Sequence, residues 1–186
     1  DSKRYRASNG MDLRFRGMAI AGPIATALAG PSYTMKITDP GLETWTDANN
    51  LTNYTNVTDV GTMVFSQQSA SPHSGTYYGR VYSTNNGDRG YFKQVLTTWH
   101  NDYRGRTVTI KYWGMGSSAT AYFRLVITDG VDTTTQAYQN DTSWAEKTVS
   151  HTINAAATKL EIQLWGYKNG GVGSDYVNWD GLSSDI

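Results

Sequence analysis

The stretch "AYFRLVIT", residues 121–128, alternates between two kinds of side chain and decides the fold class. Phe123, Leu125 and Ile127 fall on one side of an extended chain, and Tyr122, Arg124 and Val126 fall on the other. Successive side chains of a β-strand point to opposite faces of its sheet. The stretch therefore predicts a strand with one face in the core and an aromatic and charged face outside.

Two other stretches have the same period, "RTVTIKYW" at 106–113 and "KLEIQLWGY" at 159–167. Their core-facing residues are predicted to be Val108, Ile110, Tyr112, Leu160, Ile162 and Leu164. Further strands are predicted at Tyr77–Tyr82, Gly90–Val95, Glu146–Ile153 and Tyr176–Leu182. Turns rich in Gly, Asn and Asp separate these strands, and many short strands at such spacing are typical of an all-β antiparallel sandwich or jelly roll.

Composition narrows the class of protein. The 186 residues have room for one domain and a tail, and their formal net charge is zero, so no overall field attracts nucleic acid or an anionic membrane. The chain has no cysteine, which excludes a disulfide framework and thiolate metal sites. Its 19 Gly, 13 Tyr and 6 Trp suit short strands joined by tight turns.

Residues 1–36 differ in composition from the rest of the chain. A basic patch at Arg14–Gly17 precedes the apolar run "MAIAGPIATALAG" at 18–30. A secretion signal is disfavoured by the ten mostly polar residues before Met11, and a membrane span by the shortness of the run. Gly22 and Pro23 disfavour a helix. We expect an extended N-terminal arm at 1–36 and a jelly-roll domain at 37–186.

An arm with small side chains can approach another backbone closely, for example by adding a strand to a partner's sheet edge. We expect it to bind protein subunits of a larger assembly, as in a homo-oligomer. The residues expected to make these contacts are Arg14, Phe15, Arg16, Met18, Ile20, Ile24 and Leu28.

The order of motifs in 37–186 resembles the β-sandwich carbohydrate-binding modules of families four, nine and twenty-two. The motifs that carry the resemblance are "DPGLETW" at 39–45, "SASPHSGTYYGRV" at 69–81, "GYFKQVL" at 90–96, "RGRTVTIKYW" at 104–113, "TSWAEKTVSHTI" at 142–153 and "DYVNWDGLSS" at 175–184. The resemblance implies a jelly-roll fold. The resemblance implies less about function, because proteins with this fold also have functions other than carbohydrate binding.

Aromatic and polar residues share the outward parity of the three best strands. They are Lys111, Trp113, Tyr122, Arg124, Gln163, Trp165 and Tyr167. If those strands share a sheet, the rings can stack on sugar C–H faces while Arg and Gln bind hydroxyl groups. The alternative is that loops or the arm cover this face and the rings only pack. Trp99 and Tyr103 fit either a cleft rim or packing.

Glu43 and Asp180 are candidate metal ligands. In the modules that the chain resembles, an acidic residue near the start and another on the last strand lie beside a structural calcium ion, and the resemblance carries that role to these two residues. The alternative is an ordinary acidic pair, or a hydrogen bond to a turn. No other cofactor is expected.

Catalysis has little support. His73, His100 and His151 are scattered, without metal-ligand spacing or a nucleophile elbow.

The favoured hypothesis is a non-catalytic assembly protein, such as a phage capsid decoration or minor virion protein, located on a virion or an extracellular surface. The alternative is a carbohydrate-binding module that recognises a polysaccharide through its aromatic sheet face.

Overall fold

The computed structural model describes residues 35–171 and 173–186. The predicted arm residues Arg14, Phe15, Arg16, Met18, Ile20, Ile24 and Leu28 lie outside the described residues. Met35, which the sequence placed in the arm, is buried in the core, and its carbonyl accepts a hydrogen bond from Ser184 Oγ at 3.1 Å. The folded body therefore includes residue 35.

Twelve strands and one 3₁₀ helix make up the described part of the chain. The strands are β1 (Trp45–Asp47), β2 (Asn50–Leu51), β3 (Thr55–Val60), β4 (Val64–Gln68), β5 (Tyr78–Ser83), β6 (Arg89–Val95), β7 (Thr107–Gly116), β8 (Ala121–Thr128), β9 (Thr133–Thr135), β10 (Ala145–Thr152), β11 (Glu161–Lys168) and β12 (Asp175–Asp185). The 3₁₀ helix spans Asn101–Tyr103. Within residues 35–171 and 173–186, no helix is long and apolar enough to cross a membrane.

Two five-stranded antiparallel sheets form the sandwich, and a small two-stranded sheet pairs β1 with β2. The first sheet has the order β10-β7-β12-β5-β4, and the second sheet has the order β3-β6-β11-β8-β9. Apart from the consecutive pairs β4–β5 and β8–β9, neighbouring strands come from distant parts of the chain, as is typical of a jelly roll. The predicted fold class is confirmed.

All seven predicted strands are present, and Ala121–Thr128 has the predicted bounds. The sequence missed β1 to β4 and β9, which are short or lie at sheet edges and lack a run of alternating apolar residues. The stretch predicted at 106–113 is also longer in the structure, where β7 continues to Gly116. A Cβ atom on Gly114 would lie 2.5 Å from the Phe123 ring, so glycine here makes room for an aromatic residue of the opposite sheet.

The core lies between the inner faces of the two sheets. Its nine sequence-predicted members are all 0% exposed: Val108, Ile110, Tyr112, Phe123, Leu125, Ile127, Leu160, Ile162 and Leu164. Trp179 of the first sheet meets Phe123 of the second edge to face, with ring centroids 5.7 Å apart. Aromatic pairs in this geometry stabilise a core beyond the area they bury. The alternation of each strand thus produces a single apolar layer.

A buried polar network joins the two sheets at one end of the sandwich. His151 of β10 lies with its Nε2 atom 3.2 Å from Asp129 Oδ2, beyond the end of β8, and its Nδ1 atom 2.9 Å from Thr134 Oγ1. Burial of the Asp129 carboxylate opposes its ionisation, but hydrogen bonds from the amides of Asn154, Asp132 and Val131 outweigh burial and lower its pKa to about 2. Asp129 is therefore ionised in the folded protein and holds the turn and His151 together.

The burial pattern predicts a large difference between two identical substitutions. Val108→Ala removes two methyl groups from a fully buried site and should destabilise the fold by about 2 kcal/mol. Val131→Ala acts on a side chain that is 54% exposed and should change stability by less than about 0.5 kcal/mol. Urea unfolding of both variants checks the difference, and equal losses would contradict the assigned inner face.

The Asp129 network predicts an acid-sensitive contribution to stability. The pKa of Asp129 is lower in the folded state, so its contribution is complete above the ordinary pKa of 3.8 and is lost as the pH falls through about 2. Each pKa unit corresponds to about 1.4 kcal/mol. Unfolding free energies of the wild type and Asp129→Asn between pH 5 and pH 2 check this. The variant should show the shallower decline, and parallel curves would contradict the assignment.

Candidate functional site

The structure brings together five of the six residues predicted to bind a glycan. Tyr122 and Arg124 lie on β8, and Gln163, Trp165 and Tyr167 lie on the adjacent β11. The alternation that buries Phe123, Leu125, Ile162 and Leu164 turns these five side chains to the outer face of the second sheet. Each of the five is half-buried.

Trp113 is the exception, together with Lys111. Both lie on β7, which belongs to the first sheet, so they do not share a face with the other five residues. The His73 ring stacks on Trp113 with centroids 3.7 Å apart and planes 15° apart, and Trp144 contacts His73 in turn. Strand parity separates inside from outside but does not say which sheet a strand joins. The prediction that Trp113 shares a face with the other candidates is therefore wrong, because Trp113 lies on the first sheet and packs under a loop.

Trp165 is the centre of the five-residue cluster. In the strand register it lies opposite Tyr91 of β6 on one side and Arg124 of β8 on the other. The Tyr91 ring stacks on the indole with centroids 4.2 Å apart and planes 28° apart. The Arg124 guanidinium lies 5.3 Å from the Trp165 ring centroid and 4.2 Å from that of Tyr138. Stacking and cation–π contacts thus hold the rings in fixed positions.

Three tyrosines extend this surface away from Trp165. Tyr138 lies 5.2 Å from Tyr167 and 6.0 Å from Tyr122, and Tyr122 lies 6.2 Å from Tyr167, all between ring centroids. Together these side chains form one surface, the aromatic face, which consists of Tyr91, Tyr122, Arg124, Tyr138, Gln163, Trp165 and Tyr167.

A row of hydrogen bonds along β11 fixes the polar side chains of the aromatic face. Trp165 Nε1 donates to Gln163 Oε1 at 2.7 Å, and Gln163 Nε2 donates to Glu161 Oε1 at 2.7 Å. Lys159 Nζ donates to Glu161 Oε2 at 3.0 Å. Burial would raise the pKa of Glu161, but the hydrogen bonds from Gln163 and Lys159 outweigh burial and lower it. The row orients the Gln163 amide and the Trp165 indole together.

Two residues of the aromatic face were missed by sequence reasoning. Tyr91 has the outward parity of the predicted strand Gly90–Val95, so the pattern contained it once β6 was placed beside β11. Tyr138 lies outside the regular strands, where its neighbour Gln139 forms an isolated bridge with Phe123. No periodic pattern marks such a position, so only the structure finds it. The sequence allowed Trp99 and Tyr103 to line a cleft rim or to pack, and in the structure both pack with the core.

Glu43, predicted as a calcium ligand, instead holds a loop by hydrogen bonds. Its Oε1 atom accepts from the Thr76 amide at 2.8 Å, and its Oε2 atom accepts from the Tyr77 amide at 3.1 Å. Gly75 adopts a φ of +61°, and a Cβ atom there would lie 1.8 Å from Glu43 Oε1. Glycine is therefore required where the loop passes over this carboxylate.

Asp180 binds the same loop from the last strand. Its Oδ2 atom accepts from the Ser74 amide at 2.8 Å, while Oδ1 accepts from Ser74 Oγ at 3.1 Å and the Gly181 amide at 2.7 Å. Burial raises the pKa of Asp180. The predicted pair does meet at one loop, but N–H and O–H donors occupy both carboxylates.

A calcium ion takes six to eight oxygen ligands. Among residues 35–171 and 173–186, no group of three or more His, Cys, Asp or Glu side chains is placed to hold a metal. The hydrogen bonds give Glu43 and Asp180 a structural role, and their calcium role stays a prediction. The two acids clamp the loop that carries His73 onto Trp113.

Comparisons with known proteins find similarity in structure and not in sequence. No protein-family model matches the chain, and no curated protein matches its sequence significantly. Solved structures match with high probability. A family 61 carbohydrate-binding module in complex with β-1,4-galactotriose has a TM-score of 0.59 and 13% identity, over 82% of this chain and 98% of that chain.

Two further structures extend the comparison. The family 22 xylan-binding domain from Paenibacillus barcinonensis has a TM-score of 0.52 and 15% identity, over 77% of this chain and 89% of its own. The enzymatically active domain of tailspike protein 4 from bacteriophage CBA120 has a TM-score of 0.60 and 12% identity, over 81% of this chain but only 21% of its own. The chain therefore has the β-sandwich fold of carbohydrate-binding modules.

The loop clamp predicts how Glu43→Gln and calcium act on stability. The glutamine amide turns an N–H₂ group toward a backbone N–H and should cost about 1–3 kcal/mol. Calcium or EDTA should leave the Tm of the wild type unchanged, because amide donors already occupy both carboxylates. Thermal unfolding checks both effects. A rise in Tm of several degrees with calcium would restore the metal site and contradict the clamp.

Proposed function

We propose that this protein is a non-catalytic carbohydrate-binding module whose aromatic face binds a polysaccharide. The observation that carries the proposal is the surface around Trp165, where aromatic rings and polar side chains share one outer sheet face. Sugars present apolar C–H faces and polar hydroxyl edges, and a site that binds them needs both kinds of partner. Trp165 and Tyr91 supply rings, while Arg124 and Gln163 supply hydrogen-bonding groups.

The structural neighbours support the same proposal. One was solved with β-1,4-galactotriose, and another is a xylan-binding domain, so this sandwich carries sugar sites in those proteins. Their identity to this chain is below 20%, so the fold is shared but the ligand is not transferred with it. The aromatic face of this chain must be tested with its own ligands.

The electrostatics of the aromatic face favour binding over hydrolysis. Glycosidases use two carboxyl groups, one with a raised pKa that acts as a general acid. The two carboxylates beside the aromatic face are both held in ion pairs, Asp59 with Arg89 and Glu161 with Lys159. The pKa of Glu161 is lowered, in spite of its burial, by the hydrogen bonds from Gln163 and Lys159. This arrangement suits a binding surface.

The assembly hypothesis remains a prediction, because the arm residues that carry it lie outside the described part of the chain. The phage tailspike neighbour shares the fold over a small part of its length and adds no contact for the arm. Location on a virion or an extracellular surface is compatible with polysaccharide binding and remains a prediction too.

Trp165→Ala should weaken binding to a polysaccharide by about tenfold or more, because it removes the central ring of the aromatic face. Affinity electrophoresis against a panel that includes galactan and xylan identifies a ligand, and calorimetry measures the loss. Trp144→Ala is the matched control, since it removes an indole that contacts His73 on the side of the first sheet. The control should retain wild-type affinity.

Two results would contradict the proposal. One is that the folded wild type binds no polysaccharide of the panel. The other is that Trp165→Ala and Trp144→Ala lose affinity equally while circular dichroism shows that both remain folded.

A further inference from the structure

We propose that the polysaccharide bound by the aromatic face is acidic, with uronate carboxylates that pair with Arg124. This inference rests on the proposed function and specifies the class of sugar. It follows from the charges beside the aromatic face and from the hydrogen-bonding state of one arginine.

Cations exceed carboxylates at this surface. Four basic residues lie on or beside the aromatic face, Arg89, Lys93, Arg124 and Lys159, against two acids, Asp59 and Glu161. Arg89 pairs with Asp59, and Lys159 pairs with Glu161. Among the described residues, neither Arg124 nor Lys93 forms an ion pair with a carboxylate, although Lys93 lies near enough to Glu161 to help lower its pKa.

Arg124 is placed by rings and not by an acid. Its guanidinium is in cation–π contact with Tyr138 at 4.2 Å and with Trp165 at 5.3 Å, which covers its planar faces. Its Nε atom is buried and has no hydrogen-bond partner among the described residues. Aromatic faces do not accept the in-plane N–H groups, so the Nε–H group of this arginine is unsatisfied.

Arg80 shows that the chain satisfies a stacked arginine where the role is structural. It lies on β5 of the first sheet, and its guanidinium is 3.7 Å from the Tyr176 ring centroid. Its Nε atom donates to Asn178 Oδ1 at 2.9 Å, and its Nη2 atom donates to the Tyr78 hydroxyl at 3.2 Å. Arg124 has the stacking without such acceptors. The acceptor is therefore expected from a ligand.

A carboxylate matches the Nη end of this guanidinium, because guanidinium and carboxylate form two parallel hydrogen bonds and the Nε atom itself is buried from solvent. A uronate unit would stack its ring on Trp165 and direct its carboxylate to Arg124. Lys93 lies on β6, on the opposite side of β11 and two strand spacings from β8, or about 10 Å. It would therefore meet the carboxylate of a different sugar unit of the same chain.

Calorimetry with three polymers tests the inference on the wild type. Polygalacturonate and its carboxyl-reduced form share a backbone and differ only at C6, where a hydroxymethyl group replaces the carboxylate, and dextran sulfate is a polyanion without carboxylates. We expect polygalacturonate to bind at least about tenfold tighter than either, and its binding to weaken as salt rises. Arg124→Gln should remove the preference. Arg80→Gln, a stacked arginine of the other sheet, should keep it.

The outcomes separate the inference from the proposed function. Equal affinity of the wild type for polygalacturonate and its reduced form, with loss in Trp165→Ala, would overturn the acidic ligand and leave polysaccharide binding intact. Equal affinity for dextran sulfate would overturn the uronate assignment in favour of general polyanion binding. Failure to bind any acidic or neutral polysaccharide would overturn both proposals. The wild-type comparison stands whether or not Arg124→Gln folds.

Discussion

The packing of two inner sheet faces against each other is the constraint on which the rest of this structure depends. Burial of Leu125 on β8 and Leu164 on β11 fixes the sides of both strands, so Arg124 and Trp165 must lie outside. A slip of one residue in either strand would exchange core and surface together. The strand residues of the aromatic face therefore lie outside as a consequence of the hydrophobic core.

Sequence reasoning recovered what depends on one strand at a time. Alternation predicted the buried faces and seven of the twelve strands, because both follow from the period of the side chains. It did not predict what depends on how strands meet. Trp113 has the same parity as Trp165 but lies on the other sheet, and Tyr138 reaches the aromatic face from an irregular segment that has no period.

The acids Glu43 and Asp180 illustrate a second limit of sequence reasoning. Their positions at opposite ends of the domain suggested a shared ion, and the structure does bring both to one loop. Backbone amides of that loop donate to both carboxylates, and a sequence does not display which amides a fold brings near a carboxylate. The clamped loop covers Trp113 on the first sheet, whereas the aromatic face lies on the second sheet.

The central claim is that the outer face of the second sheet binds the ligand, and indole resonances measure this most directly. The chain has six tryptophans, so a ¹⁵N-labelled sample offers six indole N–H signals. Titration with an oligosaccharide of the bound polymer should shift the Trp165 signal, whose N–H donates to Gln163, and leave Trp113 and Trp144 unchanged. Binding that shifts Trp113 or Trp144 and leaves Trp165 unchanged would contradict the account.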